Sequence, residues 1–220
     1  MGKKLVLIHT LPPLIEVFND LTAELLPGTR LIHILDEPLL EQVRKRGHLA
    51  PEDSARLGSH ITMAEQIQAD AVLVTCSTIS PCVDDVRSQT RIPLSKIDEA
   101  MIATAVRLGS RIGVAATAET TLGPTRTLLQ EQAEQQDTQI ETELMLVERA
   151  LSALLSGDGD THDRLVKNAI LDLAQRVEVV VLAQASMARV VATITESDCS
   201  VPVLSSPHLA LKQIQGILES

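Results

Sequence analysis

Two halves of this 220-residue chain carry the same strand signals in the same order. Arg111-Ile112-Gly113-Val114-Ala115-Ala116-Thr117 matches Lys4-Leu5-Val6-Leu7-Ile8-His9-Thr10. The run Val179-Val180-Val181-Leu182-Ala183-Gln184-Ala185-Ser186 matches the run that ends in Cys76 and Ser77, with Ala185 over Cys76 and Ser186 over Ser77. Ser200-Val201-Pro202-Val203-Leu204 matches Arg91-Ile92-Pro93-Leu94-Ser95. Each match is short and apolar. All three fall in order at nearly equal separations, which indicates an internal duplication.

Within each half, short apolar runs alternate with helical patterns. In the first half, strands are expected at Leu5–His9, Arg30–Leu35 and Ala71–Thr75, with an edge strand near Ile92-Pro93-Leu94. Helices are expected at Pro13–Leu26, Leu39–Arg46, Asp53–Ala69, Val83–Ser88 and Asp98–Leu108, where Gly109 ends the last. Such alternation predicts a parallel sheet with helices on its faces. The expected fold is therefore α/β, with two pseudo-symmetric lobes, each a parallel sheet flanked by helices. Facing one another, the lobes would bring both strand–loop edges to one cleft. Lobe one is placed at residues 1–104, lobe two at 105–205, and a C-terminal helix at 206–220 packs back on lobe one.

Composition narrows the function classes. The chain is 45% hydrophobic yet has no Trp or Tyr and a single Phe, Phe18. Its core is aliphatic, and it has no aromatic platforms on which to stack bases. Net charge is −10, and the triplet Arg44-Lys45-Arg46 reads as a solvated helix face. No nucleic-acid partner is expected. No apolar run reaches the roughly 18 residues that span a bilayer, and the N-terminal run reads as a strand, not a signal segment. With three cysteines in no paired spacing, the expected location is cytoplasmic, without membrane partners. A homo-oligomer, as a dimer, is expected on the commonness of closed dimers.

Nucleotide motifs are absent, with no G-x-G-x-x-G and no P-loop. The segment Gly157-Asp158-Gly159-Asp160-Thr161-His162-Asp163 lacks the calcium-loop pattern and reads as a solvated loop before a helix. His33, His48, His60 and His208 show no zinc spacing, so no metal site is expected.

One residue carries the chemistry. Cys76 stands where the run Ala71-Val72-Leu73-Val74-Thr75 stops and a loop begins, and the carboxyl edge of a parallel sheet is where ligands bind. A small buried core residue is the plainer reading of a free cysteine. Cys82 and Cys199 match no motif. His9 ends the first strand and could be structural or could move a proton. Thr10, Ser77, Thr78, Thr117, Thr120, Thr121 and Ser186 lie at strand–helix joins, where hydroxyls cap helices or form turns. Capping and anion binding are compatible, because both use a helix N-terminus.

These residues resemble the aspartate/glutamate/hydantoin racemase superfamily, which also includes arylmalonate decarboxylases and maleate isomerases. Val74-Thr75-Cys76-Ser77-Thr78 is similar to the first family motif. Gly113-Val114-Ala115-Ala116-Thr117, followed by Thr120-Thr121-Leu122-Gly123-Pro124-Thr125, resembles the opening strand and loop of lobe two. Leu182-Ala183-Gln184-Ala185-Ser186-Met187-Ala188 resembles the second motif, with Ala185 in the cysteine slot. The resemblance spans nearly the whole chain.

That resemblance implies cofactor-independent chemistry at a carbon next to a carboxylate. In two-cysteine members, one thiolate removes a proton and the opposite thiol returns one. An α-proton of a carboxylate is very weakly acidic, so the developing oxyanion needs preorganised donors. The thiol needs a pKa near working pH, and a catalytic Cys76 is expected to react with iodoacetamide well below pH 8.5. Ala185 moves no proton, so symmetric two-thiol racemisation is not expected.

The resulting reading is a cofactor-free isomerase of racemase type, with decarboxylation as an alternative outcome. Cys76 is its proton-transfer residue or nucleophile. Ser186 and His9 are candidates for the second face, and Ser77, Thr78, Thr117, Thr10, Thr120, Thr121 and Ala185 would surround the small carboxylate substrate. The other class of reading is a non-catalytic carboxylate binder that kept the site and lost the chemistry.

Overall fold

Hydrophobic patterning and punctuation set the elements, and the register of the strands sets the edge that matters. The protein is described here by a computed structural model covering residues 2–219. The chain clusters into two units. Unit one takes in residues up to Ile97 and from Pro207 onward, and unit two is Asp98–Ser206.

In unit one, strands β1 (Lys4–His9), β2 (Arg30–Leu35), β3 (Ala71–Val74) and β4 (Leu94–Lys96) form a parallel sheet of order β2-β1-β3-β4. Helices α1 (Leu14–Leu25), α2 (Glu37–Arg46), α3 (Pro51–Gln66) and α4 (Ser80–Arg87) connect them. Strand alternation sends Val6, Ile8, Val72 and Val74 to one face. There they pack on Leu39, Leu40 and Val43 of α2, Leu57, Ile61 and Ala64 of α3, and Val83 and Val86 of α4. Leu5, Leu7 and His9 alternate to the other face, where Phe18 of α1 meets the His9 ring at 5.6 Å. The only aromatic residue of the chain is thus fully buried beside a strand-end histidine.

Local signals explain the helix ends. Asp36 caps α2, accepting from the Leu39 N–H at 3.2 Å, and Gly47 closes the same helix in the left-handed region (φ +82°). Asp36 is 3% exposed. It accepts from Arg56 Nε and Nη2, each at 2.6 Å, and from His60 Nε2 at 2.6 Å. Burial alone would raise the Asp36 pKa. The bonds from Arg56, His60 and Leu39 overcome it and hold the carboxyl below its ordinary value. The cluster pins α3 to the N-terminus of α2, next to the end of β2.

Unit two repeats the plan. Its strands β5 (Arg111–Ala116), β6 (Glu141–Leu146), β7 (Val179–Leu182) and β8 (Val203–Ser205) form a parallel sheet of order β6-β5-β7-β8. Helices α5 (Glu99–Leu108), α6 (Glu119–Gln135), α7 (Ala150–Leu155), α8 (Gly159–Leu173) and the short α9 (Ala188–Val191) accompany it. Helix α5 belongs here because it packs on α6 and β7, so the unit begins earlier than the position read from the sequence. Helix α10 (Ser206–Glu219) runs to the end of the described residues, and from Pro207 it groups with unit one. Val180, Leu182, Val166, Ile170, Leu173, Met187 and Val190 build the core on one face of the second sheet. The segment expected as a loop at residues 157–163 is mostly helical. Asp158 caps α8 by accepting from the Thr161 N–H at 3.1 Å, and His162 is fully buried. Among the described residues no helix is long and apolar enough to cross a membrane.

The two registers correct one expectation. Ile8 pairs with Val74, and Ala115 pairs with Leu182. The Thr75 N–H bonds the Ile8 carbonyl, and the Ala183 N–H bonds the Ala115 carbonyl. Likewise Val72 N–H bonds Pro93, and Val180 N–H bonds Pro202. Lys4 therefore corresponds to Arg111 and Pro93 to Pro202, as the sequence matches have it. Val74 corresponds to Leu182, so Cys76 corresponds to Gln184, not to Ala185. Ala185 takes the place of Ser77, and Ser186 the place of Thr78. Aligning Ser186 with Ser77 is a one-residue slip, and in a strand such a slip exchanges faces.

Candidate active site

Cys76 is the second residue past β3 and lies against Ile79, Cys82 and Val83 on the α4 side of the first sheet. Its carbonyl accepts from the Ile79 N–H at 3.1 Å, in the turn that opens α4. The thiol is 9% exposed. Burial pushes its pKa up. The Thr10 hydroxyl, the Ile79 and Thr78 backbone N–H groups and the Thr78 hydroxyl pull it down, but burial prevails. The resting group is a protonated thiol inside a ring of donors suited to a thiolate. The direction is opposite to the one expected of a thiol already activated at rest. Alkylation of Cys76 by iodoacetamide is expected to set in at higher pH than that of a free thiol, whose ordinary value is about 8.5. A pH series followed by mass spectrometry of the Cys76 peptide measures it.

Two hydroxyls beside the sulfur are unsatisfied. Thr10 is 1% exposed and Ser77 4%, and neither Oγ1 of Thr10 nor Oγ of Ser77 has a well-formed hydrogen bond among the described residues. Thr10 Oγ1 stands close enough to favour the thiolate without the geometry of a full bond. Leaving a buried hydroxyl unpaired costs on the order of 1–3 kcal/mol. Two at the carboxyl edge of one sheet, past β1 and β3, mark a place built for a ligand with acceptor oxygens. Thr78, buried as well, donates toward the sulfur from both backbone and side chain.

His9 is placed elsewhere. Strand alternation turns it, with Thr75, to the α1 face, away from Cys76. It is fully buried, and both ring nitrogens are engaged, Nδ1 with Thr75 Oγ1 at 2.8 Å and Nε2 with His33 Nδ1 at 2.8 Å. Burial, assisted by His33, lowers its pKa to about 4. A neutral, enclosed imidazole with no free nitrogen is not a second-face proton carrier, and the expectation of that role is corrected.

On the matching edge of unit two, Thr117 ends the β5 run. Its backbone N–H donates to Gln184 Oε1 in a short bond, and its hydroxyl donates to the same oxygen at 2.9 Å. Ser186 Oγ and Thr120 Oγ1 are shielded from solvent and unpartnered among the described residues. Thr121 is fully buried within α6, and its carbonyl accepts from the Thr125 hydroxyl at 2.9 Å. Ala185 is buried in a 3-10 turn and offers no side-chain chemistry. Gln184 was missed in the sequence because a glutamine before two small residues resembles the end of a strand; counting β7 from its pairing with β5 finds it. A surface groove of about 510 Å³ between α3 and α4, lined by Ser54, Gly58, Thr62, Asp85 and Gln89 among others, contains none of these residues.

No curated protein matches the chain. Among solved structures, an allantoin racemase from Klebsiella pneumoniae superposes with TM-score 0.74 at 17% identity, covering 99% of this chain and 88% of that one. A glutamate racemase isoform from Bacillus anthracis gives 0.72 at 14%, covering 99% and 82%. An aspartate racemase from Picrophilus torridus gives 0.73 at 14%, covering 98% and 95%. At these identities the likeness shows the fold: two parallel four-stranded sheets flanked by helices. The model of the Asp/Glu/Hydantoin racemase family matches residues 14–214. With most of its length under that match, the chain belongs to the Asp/Glu/hydantoin racemase family, and so to a group of racemase-type enzymes.

Proposed function

We propose that this chain is a cofactor-independent, cytoplasmic enzyme that moves a proton at the carbon α to a carboxylate, with Cys76 as the transferring group. The observation that carries this reading is the pair of buried hydroxyls without a well-formed bond, Thr10 and Ser77, next to a thiol that has three further donors from Thr78 and Ile79. Removing an α-proton sends charge onto the carboxylate oxygens, and donors fixed in advance stabilise it without reorganising. Thr10 and Ser77 take the carboxylate oxygens. The Thr78 and Ile79 N–H groups hold the sulfur when it is charged. Burial keeps the thiol protonated at rest, so Cys76 first gives its proton to solvent or to a basic group of the bound substrate, and the thiolate then takes the α-proton.

Incubation in D2O with aspartate, glutamate, a hydantoin, malonate and maleate, followed by NMR, tests the reading. Exchange at Cα with retained chirality is expected, because one thiol serves one face. Loss of CO2 or a moved double bond would assign the chain to a decarboxylase or an isomerase of alkenes. Binding without any exchange would instead support the carboxylate-binder reading, which the amide at the position of a second thiol favours.

A further inference from the structure

Gln184 occupies in unit two the register position that Cys76 occupies in unit one, and its orientation is fixed by chemistry. A backbone N–H only donates, so the Gln184 atom facing Thr117 N is the carbonyl oxygen. The Thr117 hydroxyl donates to that same oxygen. Gln184 Nε2 is therefore turned away from Thr117, carrying two N–H donors, and has no partner among the described residues. The side chain is partly exposed. Two residues on, Ser186 Oγ is buried and unpartnered; three residues past Thr117, Thr120 Oγ1 is too. The unit-two edge thus carries an amide donor whose carbonyl end is fixed by Thr117 and two orphaned hydroxyls.

We propose that Gln184 is a ligand-holding residue: its amide, with the Ser186 and Thr120 hydroxyls, binds a carboxylate oxygen at the unit-two edge. The inference deepens the proposed function and rests on it for the substrate class. An amide neither gives nor takes a proton near neutral pH, so Gln184 can hold an acceptor oxygen but cannot serve as acid or base. Specificity then favours substrates with an acceptor oxygen, as in dicarboxylates.

Gln184→Glu is the discriminating variant. It keeps an oxygen for both Thr117 donors, and it replaces the outward amide by a second, negative oxygen. Calorimetric titration with malonate, maleate and aspartate is made on wild type, Cys76→Ser, Gln184→Glu and Gln184→Ala. At least one of the three is expected to bind wild type, and to bind Gln184→Glu at least tenfold more weakly. Gln184→Ala is expected to lose affinity as well, with a lower melting temperature from the freed Thr117 loop. A tie that serves only Thr117 would leave Gln184→Glu binding as wild type does, and that result overturns the proposal. Failure of all three compounds to bind wild type overturns it too. Turnover by Cys76→Ser would sink the catalytic reading while leaving the Gln184 titrations to stand or fall alone.

Discussion

Serine in place of Cys76 is expected to lower α-proton exchange by about 10³-fold, with the fold intact. The size follows from losing a positioned acid–base group, which contributes roughly 10²–10⁴ in rate. Serine keeps the volume and finds the same donors from Thr78 and Ile79 that now surround the sulfur, so the stability cost is expected to stay near or below about 1 kcal/mol. What it lacks is a proton that can leave: an unactivated hydroxyl is a poor base near neutral pH, and no imidazole stands ready to activate it, because His9 points to α1 with both nitrogens engaged. Cys82→Ser and Cys199→Ser serve as controls. Cys82 is a buried residue of α4, and Cys199 donates to the Val201 carbonyl at 3.3 Å, so neither substitution should change the exchange rate. Exchange by the Cys76→Ser protein at the wild-type rate, with unchanged melting behaviour, would remove Cys76 from the mechanism.

The strands were legible because their apolar runs are short, bounded and repeated. Lys4–His9 and Arg111–Ala116 are read to within a residue from the sequence alone, and the prolines at 93 and 202 fix the fourth strand of each half. The helix starting at Gly159 was not legible: Gly157-Asp158-Gly159 has the composition of a loop, and only the Asp158 side chain bonding the Thr161 N–H reveals a cap. The site was half legible. Cys76 stands out because a thiol ending a buried strand is chemically distinctive. Its counterpart was misplaced by one residue because Cys-Ser and Ala-Ser look alike as pairs, whereas hydrogen-bond register is blind to side-chain likeness and puts Gln184 opposite. The fate of His9 was not legible at all. A strand-end histidine can face either side of a sheet, and the partners that decide its charge, His33 and Thr75, lie 24 and 66 residues away.

Those partners make stability fall on mild acidification. His33 Nε2 meets Asn19 Oδ1 at 3.0 Å, and an amide oxygen only accepts, so the single proton of a neutral His33 sits on Nε2. His33 Nδ1 is then the acceptor, and His9 Nε2 donates to it. Burial first, and then the neighbouring His33, disfavour a second proton on His9 and lower its pKa from 6.5 to about 4. The sign follows by linkage. Above pH 6.5 the ring is neutral in both folded and unfolded chains, and its full contribution is present. As pH falls from 6.5 toward 4 the unfolded chain takes up a proton that the folded chain refuses, and stability is lost. The loss is expected to be about 2 kcal/mol at pH 5 and to level near 3 kcal/mol below pH 4. His33, lowered by burial as well, adds to it in the same direction. For a chain of this size about 2 kcal/mol moves the melting midpoint by roughly 4–8 °C. Melting curves between pH 7.5 and 4.5 measure the slope, above the range where carboxylates such as Asp36 take protons. In a His9→Asn protein most of that slope should vanish, because the titrating ring is gone. A wild-type midpoint that stays level from pH 7.5 to 4.5 would mean that the His9–His33 pair accepts a proton in the folded chain as readily as in the unfolded one.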